Sequence, residues 1–292
     1  MYQTENYKYN KAFIIGNGFD KANGFPTGYG DFVESPNFKN LLSHDNQLAK
    51  FIKNTYDDAK WVDIEIEIGK YSCNLGEAYK GNSFAKETEK FRNDYIKLTD
   101  ALYWYIDGIR SGKINSRMED LVKSWKNSLF GKVQEQAFFV TFNYMRWDVT
   151  ILQEKMRNDR FINYYPLSIH GVTQYDANAT PKIVLGVDEK SIYCKEHKFI
   201  VKAYNPYCEA DAYFRHIYDA NQIIIFGCSI GNTDQRYFSH LFSQAKGKTF
   251  NIYCYGNEDI IETKANISTI CDFDKFVGEN DVKFEDSTEF SN

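Results

Sequence analysis

Proline is scarce, with 5 in 292 residues, and glycine, at 18, is sparse as well. No Pro-, Gly- or Ser-rich stretch marks a linker, so no clean domain boundary is legible. The 6 cysteines, at 73, 194, 208, 228, 254 and 271, include no C-x-x-C pair. That argues against a compact zinc module and leaves reduced, buried thiols as the expectation in contexts such as IFGCS and IYCYG. No apolar run approaches the roughly 18 residues that span a bilayer. The N-terminal MYQTENYKYNKAF lacks the apolar stretch of a secretory signal. A soluble, cytoplasmic protein without membrane contact is therefore expected. Positive charge is not in excess either: the net charge of −5 argues against a surface that coats nucleic acid.

What is present is apolar and aromatic, at 43% and 17% of the chain, enough for a sizeable core. Short, near-continuous apolar runs fall at 12–15, 137–143 (AFFVTFN), 182–187 (KIVLGV), 222–227 (QIIIFG) and 250–255 (FNIYCY). Such runs suit strands buried on both faces, and the helical patterns between several of them predict a parallel α/β sheet. The interval 37–131 reads differently. Phe91, Tyr95, Leu98, Leu102 and Tyr105 recur at helical spacing, as do Leu121, Trp125 and Leu129, which predicts an all-helical insertion after the first strand. WVDIEIEIGKYSCNL alternates like a strand from Val62 to Ile68. It also sets Trp61, Ile64, Ile68, Tyr71 and Leu75 on one helical face, and that longer stripe favours a helix. The polar tail GENDVKFEDSTEFSN is expected to fray.

The chemistry-bearing residues gather at strand ends. In IIGNGFDKANGFPTGYGDF an apolar strand falls into Gly16-Asn17-Gly18, the geometry in which backbone amides meet an anion; a third glycine would complete the dinucleotide fingerprint, and Lys21 stands there instead. Phe25, Tyr29 and Phe32 in the following loop offer rings to a nucleotide, or simply pin a surface loop. FVTFNY ends a strand on Asn143, which suits a ribose hydroxyl or a water, and equally a helix N-cap before Met145. LSIHG ends on His170, the best-placed candidate for a general base, though a lone histidine is also a common structural residue. The late turn GCSIGNTDQRYF brings Gly227, Ser229 and Gly231, with Thr233 or Asp234 opening a helix.

These segments, together with WVDIE and VLGVD, resemble in order and spacing the AbiH family of bacterial phage abortive-infection proteins, over about residues 11–255. The family in turn resembles the sirtuin-like NAD-binding fold. The resemblance implies a Rossmann-like (sirtuin-like) parallel sheet from 1–36 and 132–292, with the helical insertion at 37–131. It implies a phage-defence effector that binds NAD, as substrate or ligand, and hydrolyses it to nicotinamide and ADP-ribose, with no metal. Asn143 and His170 match the catalytic positions. Gly16, Asn17, Gly18, Phe19, Asp20, Phe25, Thr27, Tyr29, Gly227, Ser229 and Asp234 match the nucleotide contacts. Expected partners are a nucleotide, a phage-derived trigger and a homo-oligomer. The missing four-cysteine zinc module argues against protein deacylation, and Asp20 departs from the small residues of the first sirtuin turn. Two alternatives stand: a non-catalytic nucleotide sensor, and a metal-dependent nuclease using Asp20, Asp63, Glu65 and Glu67.

Overall fold

The run KAFII is buried along its whole length, which requires partners on both edges and both faces. The computed structural model describes residues 10–60, 62–109, 115–129, 137–145, 167–172, 182–208, 215–231 and 233–291. Among them the strands are β1 (Lys11–Ile15), β2 (Ala137–Thr141), β3 (Leu167–Ser168), β4 (Gly171–Val172), β5 (Lys182–Ile183), β6 (Gln222–Phe226), β7 (Thr249–Cys254) and β8 (Asp281–Asp286). The helices are α1 (Gly18–Ala22), α2 (Tyr29–Glu34), α3 (Pro36–Ser43), α4 (Gln47–Ala59), α5 (Ile64–Ala78), α6 (Gly81–Gly108), α7 (Ser116–Leu129), α8 (Arg215–Asp219), α9 (Gln235–Gln244), α10 (Gly256–Ile270) and α11 (Phe273–Glu279). Every described element between β1 and β2 is a helix. The chain divides into two units, the first Met1–Phe25, Ser111–Ile169 and Glu209–Asn292, the second Pro26–Arg110 and His170–Cys208.

The first unit is a six-stranded sheet in the order β3-β2-β1-β6-β7-β8, all pairs parallel. This is the expected doubly wound α/β architecture. Phe13 sits opposite Phe139 on one side and Ile224 on the other. The Phe13 and Phe139 rings stack at 4.6 Å, and Trp125 of α7 closes over Phe13 at 5.4 Å. Met118, Leu121 and Val122 join Trp125 in that layer, so one stripe of α7 supplies the face. Along β7 the buried residues alternate: Tyr253 faces Trp125 and Phe226, while Phe250 turns the other way to Phe242 and Phe276. Burying each such ring is worth about 1.5–3 kcal/mol.

β8 corrects the expectation of a frayed tail. DVKFED pairs with β7 along six registered positions. Its side chains are exposed or half-buried, as suits an edge strand whose charges discourage further pairing.

The second unit is helical around α6, whose stripe Phe91, Tyr95, Leu98, Leu102 and Ile106 is buried. The ambiguous segment is α5, as expected. Asp63 decides it: its carboxylate accepts from the backbone N–H groups of Glu65 at 2.9 Å and Ile66 at 3.2 Å, an N-cap that a strand would not need. KIVLGV, expected as a strand of the parallel sheet, is not one. Only its first two residues form a strand, antiparallel to β4 in a separate two-stranded sheet. At Gly186 φ is +146°, and a Cβ would meet the Ile200 carbonyl oxygen at 2.1 Å, so the chain departs there. Trp61, the Leu129 side chain and the helix expected after Met145 lie outside the described residues.

Candidate functional site

In the first unit, Gly16 follows β1, Phe142-Asn143 follows β2 and Gly227 follows β6. The strands are adjacent and parallel, so these exits share one rim. Numbered among themselves in chain order, the six strands run 3-2-1-4-5-6, the order that carries dinucleotides beyond the strand carboxyl ends where the winding reverses. Here the reversal lies between β1 and β6.

The turns at that reversal hold each other. Gly16 N–H donates to Phe226 O at 2.8 Å and Gly18 N–H to Gly227 O at 3.0 Å. A Cβ at Gly16 would lie 2.4 Å from Gly227 O, and one at Gly18 would lie 2.5 Å from Gly227 Cα. The open space that the sequence assigns to a ligand at Gly18 is filled by backbone, and both glycine amides are committed. As a pyrophosphate cradle this turn does not fit. Phe19 is a core ring, edge-on to Phe226 at 5.8 Å. Asp20 and Phe25 are buried as well, with Phe25 N–H donating to Asp20 O at 3.0 Å. Asn17 is half-buried at the start of α1. Ser229 is exposed, its carbonyl accepting from Asn266 Nδ2 at 3.1 Å. Asp234 precedes α9 and donates its N–H to Gly231 O at 3.1 Å.

Asn143 is only 2% exposed. The residue before it continues the ladder, Phe142 N–H donating to Ile15 O at 2.8 Å, and its ring packs on Tyr237 and Phe238. Asn143 N–H then donates to Thr141 Oγ1 at 3.0 Å. The backbone that carries this strand-end carboxamide is thus held by the last β2 side chain on a well-packed base.

His170, Thr27 and Tyr29 belong to the second unit. Thr27 is buried and Tyr29 opens α2. His170 stands in a buried polar network that sequence reasoning missed. Lys202, 1% exposed, places Nζ 2.8 Å from Glu65 Oε2 and 3.2 Å from His170 Nε2. The other oxygen, Glu65 Oε1, accepts from Gly186 N–H at 3.2 Å. Nearby, Tyr95 donates to Leu185 O at 2.6 Å; burial, then the Glu65 charge, raises its hydroxyl well above the usual tyrosine range. Glu65 comes from WVDIE, His170 from IHG and Gly186 from VLGVD, so three motif segments converge here. Lys202 Nζ thus lies within hydrogen-bond reach of one ring nitrogen of His170. Its only sequence signal was a lysine inside the apolar run FIVKAY. Asp188, also of VLGVD, is 2% exposed; Oδ1 accepts from Lys190 N–H at 2.9 Å, and Oδ2 has no hydrogen-bond partner among the described residues.

The acidic run does not assemble as a metal site. Asp63 caps α5, Glu65 pairs with Lys202, and Glu67 takes the Thr55 hydroxyl at 2.9 Å and Lys70 at 2.7 Å. Among the described residues no group of three or more His, Cys, Asp or Glu side chains is placed to hold a metal. His197 is a core residue between Phe84, Phe91 and Phe199, bonded to Ser72 Oγ at 2.9 Å and Thr88 Oγ1 at 3.0 Å. Of the cysteines, Cys254 is buried and the other five are half-buried; all six are thiols outside any disulfide.

Winding order and rim define a doubly wound α/β protein of Rossmann-like type. Within that class the sequence matches the model of the bacteriophage abortive infection family AbiH over residues 12–255, and the chain belongs to that family. No curated protein matches it. Among the described residues no helix is long and apolar enough to cross a membrane.

Proposed function

We propose that this AbiH chain is an abortive-infection effector that binds NAD, or a related nucleotide, on the carboxyl rim of the first unit and hydrolyses its N-glycosidic bond to nicotinamide and ADP-ribose. The observation that carries this reading is the position of Asn143, buried at the end of the strand next to the winding reversal. Its carboxamide both donates and accepts, so it can hold a ribose hydroxyl or orient the attacking water. Cleavage of a glycosidic bond to a good leaving group needs mainly positioning and electrostatics. Because the Gly16 and Gly18 amides are committed to β6 and its turn, the ligand is held by its ribose end and by the exposed Ser229 turn rather than by a glycine cradle.

The test is to incubate the purified full chain with NAD and read free nicotinamide, and to follow NAD in infected cells that express it. Asn143→Ala should lower nicotinamide release by roughly 100-fold, the scale of losing one positioned polar group, with little change in melting temperature. NAD left intact both in the tube and in infected cells overturns the hydrolytic reading. Tight NAD binding without nicotinamide release would make the same rim a sensor.

A further inference from the structure

The turn after β6 carries a backbone conformation at odds with its sequence. Ile230 holds φ at +50°, a left-handed value that a β-branched residue adopts rarely and under strain. Its side chain is buried, at 2% exposure, and Asn266 Nδ2 clamps the Ser229 carbonyl at 3.1 Å. The conformation is therefore held from two sides. Ser229 and Gly231, before and after it, do not share the positive φ. Such an alternation of hand turns successive N–H groups toward one concavity, the arrangement of an anion nest. Among the described residues the N–H groups of Ser229, Ile230 and Gly231 have no hydrogen-bond partner. The turn is also open. Apart from its chain neighbours, a Cβ at Gly231 would meet, among the described residues, nothing within 4 Å except Ser229 Oγ at 3.5 Å. At Gly16 and Gly18 the corresponding space is filled by the backbone of Gly227.

We propose that Ser229, Ile230 and Gly231 form the phosphoryl subsite of the rim, with their N–H groups and the Ser229 hydroxyl as donors. The chemistry recognised is a phosphoryl group of a nucleotide. This rests on the rim being the nucleotide site, and it supplies the phosphate donors that the Gly16–Gly18 turn cannot spare. The strain at Ile230 has a purpose in this geometry. A glycine would reach the same φ without cost and leave it as readily. A buried isoleucine keeps the donors aligned before the ligand arrives, so less ordering is left to be done on binding.

Calorimetry on the full chain reads the binding of inorganic pyrophosphate, ADP-ribose and adenosine, beside nicotinamide release from NAD. The wild type should bind pyrophosphate, and should bind ADP-ribose more tightly than adenosine by about tenfold or more. Gly231→Val fills the open side of the turn and has no left-handed φ to oppose it. It should keep the wild-type melting temperature and weaken pyrophosphate and ADP-ribose by about tenfold, the scale of one hydrogen bond to a charged group. Ser229→Ala removes one donor and should weaken both ligands in the same direction. If Gly231→Val does not fold, Gly231→Ala and Ser229→Ala carry the same readout. Pyrophosphate that fails to bind the wild type, or binds the variants equally well, overturns the subsite even where NAD is cleaved. ADP-ribose bound no more tightly than adenosine overturns it too. Pyrophosphate binding that the variants lose, with NAD left intact, keeps the subsite and removes the hydrolytic reading alone.

Discussion

Gly18 and Gly227 meet backbone to backbone: the Gly18 N–H reaches the Gly227 carbonyl at 3.0 Å, and a Cβ added to either would fall 2.5 Å from the Cα of the other. Gly227 also holds φ at +63°, where a side chain is disfavoured by about 1–2 kcal/mol. Neither glycine can gain a methyl without parting β1 from the β6 turn. Gly18→Ala should cost about 1–3 kcal/mol, the usual scale of overpacking, and Gly227→Ala at least as much. Urea unfolding would show both. A Gly18→Ala protein of wild-type stability would mean the turns are not in contact.

That contact explains why the glycine motif was legible as a turn and misleading as a ligand cradle. Sequence registers the need for a missing side chain, not which neighbour fills the gap. β1, β2 and β6 were readable because strands covered on both faces are written as unbroken apolar runs, and β7 because its buried residues alternate. β8 was not, since a solvent-washed edge strand such as DVKFED carries alternating charge. KIVLGV has the apolar content of a sheet strand, but Gly186 turns its backbone toward Ile200. Asn143 could be found because strand ends in parallel sheets are marked places. Lys202 could not, because its partners Glu65 and His170 come from distant segments and a lone lysine has no period.

The Glu65–Lys202 pair should behave as a buried ion pair in mutational tests. Removing one partner leaves the other charge without compensation, at a cost of about 3–5 kcal/mol, whereas replacing both by neutral groups of similar size is often nearly neutral. Glu65→Gln and Lys202→Met should each destabilise the full chain strongly, and the double variant should recover most of the loss. A double-mutant cycle by denaturant unfolding measures the coupling. Additive losses would exclude a direct pair.

Thr141 offers a way to disturb Asn143 without touching it. Its hydroxyl accepts the Asn143 N–H at 3.0 Å in a buried setting. Thr141→Val keeps shape and strand preference but orphans that donor, at about 1–3 kcal/mol. Thr141→Ser keeps the acceptor. Valine should lower both unfolding stability and nicotinamide release, and serine should restore both. Equal behaviour of the two variants would remove Thr141 from the support of Asn143.

His197 should make stability depend on pH. The ring is fully buried, at 0% exposure, among three aromatic rings, and burial lowers its pKa below 6.5 despite the opposing pull of Glu196. An unfolded chain takes up the proton at the ordinary value, the folded chain only at lower pH. Stability from this residue is therefore complete above about pH 6.5. It declines as pH falls through the folded-state pKa, by at most about 1.4 kcal/mol per pH unit for one proton. His197→Gln cannot protonate and should flatten the curve below about pH 6.5 while exposed carboxylates still contribute their share. Denaturant midpoints across that range, compared between wild type and His197→Gln, would decide. Parallel curves would mean that His197 gains its charge in the folded state without penalty, which its aromatic surroundings do not permit.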